Sequence, residues 1–166
     1  GVVHRLDRPV SGVVCFGRTS KGAARLAESF RTHAASKTYE AVLSRALRSD
    51  LASEGTIEHW LYKDASRNVV RVVPEGTRGA KLAKTSYRLT SGRTRVELSP
   101  ITGRSHQLRV AMASLGSPLV GDLKYGAPSP LPDRSIALHP RRLVVPHPTQ
   151  DEPVDVTASR PRGWPD

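Results

Sequence analysis

Apolar positions in this chain come in short runs and helical stripes, each closed by glycine, proline or a polar turn. Residues 11–17 read Ser-Gly-Val-Val-Cys-Phe-Gly, an apolar run bounded by glycines, and predict a buried strand. Thr19 or Ser20 can cap a following helix, in which Ala23, Leu26, Ala27 and Phe30 recur at helical spacing. Residues 38–43 return as a strand. Residues 68–73, 84–90 and 94–99 carry β-branched side chains in partial alternation, separated by Gly-rich or Ser-Gly turns. The basic stretch between the first two of these, residues 75–81, reads either as a mobile loop able to touch a polyanion or as an ordinary hairpin connection. From Ser105 the pattern predicts a helix ending at Gly116 as its C-terminal cap, with Leu108, Met112 and Leu115 on its apolar face. Beyond Tyr125 the chain is Pro-rich, which predicts loops interrupted by a strand at residues 141–145. No internal repeat is present. Strands with helices set between them indicate a mixed α+β domain.

Composition narrows the class. At 166 residues with 37% hydrophobic content, the chain suits one globular domain with a real core. It has no apolar run of about eighteen residues, so no membrane span is expected. Its single cysteine, Cys15, excludes an internal disulfide and fits a reducing cytosol. Lying within Val13-Val14-Cys15-Phe16, it reads as a buried structural thiol. There is no cysteine pair to start a zinc site, and the six histidines, His4, His33, His59, His106, His139 and His147, lack ligand-like spacing. The formal charge of +11 fits a polyanionic partner, because basic groups that neutralise phosphates release counterions. A basic surface serving solubility is the plainer alternative.

Two blocks carry the candidate chemistry. The first is His4-Arg5-Leu6-Asp7, followed by a small-residue turn at Ser11-Gly12. The second is Thr102-Gly103-Arg104-Ser105-His106-Gln107-Leu108-Arg109. Alone, an aspartate beside arginines is usually a solvated ion pair. Together and in this order the blocks resemble the active-site motifs of the RluA family of RNA pseudouridine synthases. The resemblance extends through Lys37-Thr38-Tyr39-Glu40-Ala41-Val42, through Ala83, Thr85 and Tyr87, and through Gly116, Pro118, Gly121-Asp122 and Tyr125-Gly126. It closes at Leu138-His139 and His147-Pro148, so it spans nearly the whole chain.

The resemblance implies a mainly antiparallel central sheet with helices and loops around an RNA-binding cleft. It also implies isomerisation of uridine to pseudouridine in ribosomal or transfer RNA. That reaction breaks the bond from ribose C1′ to uracil N1, rotates the base and rejoins it through C5, so no cofactor or metal is required. Asp7 would be the catalytic aspartate, acting as a nucleophile or removing the C2′ proton. Its plainer role is to cap a turn or pair with Arg5 or Arg8. Arg109 would form the ion pair with Asp7 from a helix that presents it at the cleft rim. Arg104 is the rival arginine, placed nearer the loop to meet phosphate. Tyr39 would stack on the flipped uracil and accept or relay the C5 proton. Leu108 would wall the base, and His106 and Gln107 would fix the loop by hydrogen bonds. Arg5, Arg8, Arg104, His106, Gln107 and Leu108 form the expected RNA-binding set. His4 and His139 would support the motifs, and Asp122 would organise the loop ending at Tyr125-Gly126.

Ala111 and Ser117 stand where family members often carry histidine, which bears on RNA contacts of the loop after the second helix. A related branch begins its aspartate block with Gly-Arg-Leu-Asp; His4 and Thr-Gly-Arg-Ser-His-Gln argue against it. Family members carry a stretch before the first motif, so residues 1–166 are expected to be an N-terminally incomplete catalytic domain. RNA is the expected partner, with a cytoplasmic monomer as the expected form and no membrane or small-molecule cofactor. The alternative function is a non-catalytic RNA-binding module that keeps the fold.

Overall fold

In the computed structural model, which describes residues 1–165, Thr19 caps the first helix: its Oγ1 accepts the Gly22 N–H at 3.0 Å. This helix, α1, runs Ser20–Arg31. The strands are β1 Ser36–Val42, β2 Glu54–Asp64, β3 Val69–Val73, β4 Lys81–Ser91, β5 Arg95–Pro100, β6 Leu138–Val145 and β7 Val154–Thr157. The second helix, α2, is Gln107–Ser114, and a single 3-10 turn covers Leu123–Tyr125.

The seven strands form one sheet in the order β3-β2-β4-β5-β1-β6-β7, with every neighbouring pair antiparallel. The mainly antiparallel α+β reading is therefore correct. Alternation along β4 sends Ala83, Thr85 and Tyr87 to one face, where all three are buried. Val96 and Leu98 of β5 join Tyr39 and Ala41 of β1 in the main core, which α2 closes with Leu108, Ala111 and Met112. Met112, Leu98 and Leu119 are wholly buried, each worth about 1.5–3 kcal/mol relative to exposure. A smaller cluster joins Leu61, Val70 and Ala83 to Val110 of α2. A third packs Leu26 and Phe30 of α1, with Val3, Val13 and Cys15, onto Leu143 and Val145 of β6.

Some expectations need correction. Residues 11–17 form no strand. Val13 donates one hydrogen bond to the Pro140 carbonyl, and Phe16 makes only an isolated bridge to Val2. β7 takes the second edge of β6 only at Arg142–Val145, and the segment makes one backbone bond to β6, at Pro140, instead of a ladder. At Gly12 the backbone has φ +131°, and a Cβ there would meet the Pro140 ring at 2.5 Å. Phe16 is consequently 62% exposed, and Cys15 is only partly buried. Residues 74–80 are not a hairpin connection either, because β3 and β4 flank β2 on opposite edges and the link crosses it. Lys81 already belongs to β4.

β2 and β7 were not legible in the sequence. The inward row of β2 runs Ile57, His59, Leu61, Lys63, whose polar members blur the alternation. β7 is a four-residue edge strand with no buried side chain. The second helix begins two residues later than Ser105, and its C-terminal Gly116 has φ +78°, as a helix-ending glycine requires.

Candidate active site

After Leu6 the chain turns sharply: the Val10 N–H closes onto the Asp7 carbonyl at 2.9 Å, and the Ile136 N–H holds the Pro9 carbonyl at 2.9 Å. Ser11 Oγ meets His139 Nδ1 at 2.9 Å, tying the same turn to β6. The Asp7 side chain is thereby left 31% exposed on the wall of a cleft of about 570 Å³. Tyr39, Arg109, Leu108, His106, Gln107, Arg104 and Arg5 line the same cleft, as do His4 and Lys37. Arg8 is exposed and does not line it.

Arg109 pairs with Asp7, at 3.3 Å through Nη1. Asp7's ion pair is therefore with Arg109 and not with Arg5 or Arg8. Arg109 does not sit at the rim, however. Its side chain is 6% exposed, because the whole stretch Gln107 to Met112 is buried between sheet and loop. Nε and Nη2 form a two-bond fork onto the Asp122 carboxylate, at 2.8 and 2.7 Å, and Asp122 is 1% exposed. The Tyr125 ring covers the guanidinium at 5.0 Å. Burial alone favours the neutral form of Arg109. The hydrogen bonds and charge of Asp122, then those of Asp7, outweigh it and hold the guanidinium charged beyond its ordinary range. The Arg109 partner most deeply buried was thus read in the sequence as a loop organiser only. Asp122 does organise that loop, since its carbonyl accepts from Tyr125 and Ala127.

Tyr39 lines the cleft from the buried face of β1, opposite a register shift at which β6 carries one extra residue, Arg141. Burial, and secondly the Asp7 charge, push its phenol up to about 12. Tyr125 was missed. Its hydroxyl accepts from the Val70 N–H at 3.0 Å and lies 2.6 Å from His106 Nδ1. His106 is held below its usual range, mainly by burial, and takes a left-handed φ of 52° at the start of α2. Gln107 makes four bonds: its Oε1 accepts from Thr102 Oγ1 and Arg104 N, and its Nε2 donates to Lys84 O and Thr85 Oγ1. These two residues hold the loop by hydrogen bonds.

At the other end of the cleft His4 Nε2 accepts the Cys15 N–H at 3.0 Å, and Nδ1 faces Lys37 Nζ at 3.0 Å. Burial, with the Lys37 charge second, pushes His4 down to about 4. Lys37 lies over the Phe30 ring, and burial lowers its own ammonium. Among the described residues no three His, Cys, Asp or Glu side chains are grouped to hold a metal, and no helix is long and apolar enough to cross a membrane.

Comparison with known proteins agrees with this geometry. A family model described as RNA pseudouridylate synthase matches residues 1–114. The dual-specificity RNA pseudouridine synthase RluA of Yersinia pestis is 39% identical over 157 residues, covering 92% of this chain and 74% of that protein. The tRNA pseudouridine synthase C of Salmonella typhimurium is 34% identical, covering 97% of this chain and 68% of its own. Among solved structures, the human RNA pseudouridylate synthase domain containing 1 superposes with a TM-score of 0.78 at 30% identity, covering 96% of this chain and 69% of that one. The chain belongs to the RluA family of RNA pseudouridine synthases, isomerases that act on RNA.

Proposed function

We propose that the chain isomerises specific uridines in ribosomal or transfer RNA, in the cytoplasm, with Asp7 as the catalytic carboxylate, Arg109 as its counter-charge and Tyr39 as the aromatic partner of the base. The observation that carries this reading is the convergence of these three side chains on one cleft. Only Asp7 keeps its carboxylate partly open to solvent, while its partner Arg109 is buried behind it. A cleft of about 570 Å³ is large enough to take a nucleotide turned out of its stack.

Asp7 faces the space where ribose and uracil would sit. Its carboxylate assists cleavage between C1′ and N1, and the freed base turns against Tyr39 and Leu108 until C5 meets C1′. The proton then leaves C5 and N1 regains one, so the product is an isomer of the substrate. Arg109 supplies positive charge at 3.3 Å from Asp7 throughout. A cytoplasmic setting is supported by a lone cysteine with no disulfide partner.

The test is a single-turnover assay of full-length Asp7→Asn on unmodified tRNA and rRNA transcripts. Pseudouridine should fall to background while RNA affinity changes little, because asparagine keeps the shape and removes the anionic oxygen. Turnover at the unmodified protein's rate would exclude Asp7 as the catalytic group.

A further inference from the structure

Beside the cleft lies a second hollow of about 230 Å³, and residues 103–105 line both. Its origin is in the strand pattern. The inward row of β2 ends on Lys63, and the corresponding row of β4 begins on Lys81, which pairs in register with Leu61. Leu61 and Val70 are buried and form the floor. Beyond them each row finishes on an exposed lysine. Arg104 completes the wall, fixed by its Nε to the Leu82 carbonyl at 3.0 Å, and Lys63 Nζ reaches Ser105 Oγ at 3.3 Å.

No carboxylate lines this hollow. Several other strand cations are matched: Lys84 with Glu58 at 2.8 Å, Arg88 with Glu97 at 2.9 Å, Arg142 with Asp155 at 2.5 Å. Among the described residues, Lys63, Lys81 and Arg104 form no ion pair. Three converging like charges repel one another unless an external anion joins them.

We infer that this hollow binds backbone phosphate of the RNA strand next to the target uridine, with Lys63, Lys81 and Arg104 as its ligands. The inference rests on the reading of the adjoining cleft as the uridine site. It directs the strand from Asp7 across residues 103–105 towards the β2–β3 end of the sheet. Contacts of this kind position the RNA without reading its bases.

The test uses the full chain carrying Lys63→Gln and Lys81→Gln together, with unmodified tRNA transcripts as probe and affinity measured from about 50 to 200 mM salt. If each lysine neutralises one phosphate, the plot of log affinity against log salt should become shallower by about 1.4. The single-turnover rate at saturating RNA should stay unchanged, and the double Lys→Arg variant should keep the original slope. An unchanged slope in the folded glutamine variant would overturn the inference. So would a lost rate at saturating RNA with the slope intact, which would make the lysines supports of the cleft. The outcome is separable from the Asp7 reading: an active Asp7→Asn variant defeats that reading, whereas the slope judges the phosphate site.

Discussion

Arg109 directs two of its nitrogens to Asp122, at 2.8 and 2.7 Å, and only one to Asp7, at 3.3 Å. Asp122 is therefore the anchor of the guanidinium, and Asp7 is the partner free to exchange that contact for substrate. The division follows from burial, since Asp122 is 1% exposed and Asp7 31%.

Removing the anchor leaves a buried charge without its main partner. Asp122→Ala should destabilise the fold by about 3–5 kcal/mol, read from urea denaturation. Asp122→Asn keeps the shape but loosens the fork. It should slow pseudouridine formation by about tenfold or more, roughly 1.4 kcal/mol, at nearly constant RNA affinity. Rate and stability both unchanged in Asp122→Asn would show that Asp7 alone positions Arg109.

Lysine cannot bridge two carboxylates in the plane of a guanidinium. Arg109→Lys should retain much of the RNA affinity and lose a large part of the single-turnover rate. Arg109→Met should lose more, because two neighbouring carboxylates then lack any cation. Equal rates for both variants and the unmodified chain would transfer the role to Arg104.

Tyr39, with its phenol pushed up to about 12, stays protonated over the whole working range. Its deprotonation should add no limb to the pH–rate profile below about pH 10. Tyr39→Phe keeps the stacking ring and should bind RNA normally while slowing turnover, and Tyr39→Leu should impair both. If Tyr39→Phe turns over like the unmodified chain, the ring alone is what the site uses.

His4 ties stability to pH. Folded, it is pushed down to about 4, whereas the unfolded ring titrates near its ordinary value of 6.5. Above 6.5 both states are neutral there and the stability is fully present. As pH falls from 6.5 towards 4 the unfolded chain takes up the proton that the folded chain refuses, so stability declines and then levels off. Burial lowers His59, His106 and His139 in the same direction. The comparison should therefore be the urea midpoint of His4→Gln against the unmodified chain across this range. The variant should lose less on acidification, and parallel curves would remove His4 from the effect.

Local signals carried much of this protein. Thr19 and the Ala23, Leu26, Phe30 spacing locate α1, because a cap and a helical stripe depend on near neighbours alone. The Gly116 ending of α2 and the strands around Tyr39, Tyr87 and Val96 were legible for the same reason. The two motif blocks named Asp7 and Arg109, and the Lys37 to Val42 segment named Tyr39; the three line one cleft. What required the tertiary structure were relations between distant segments. Residues 11–17 look like a strand, but they make only one backbone bond to β6, at Pro140, beyond the end of the β7 ladder. Lys63 and Lys81 are unremarkable 18 residues apart until register sets them on the same face beside Arg104. Asp122 reads as a loop residue until α2 carries Arg109 beneath it. A buried carboxylate is decided by what packs around it, and that packing is a property of the folded chain, which no local pattern encodes.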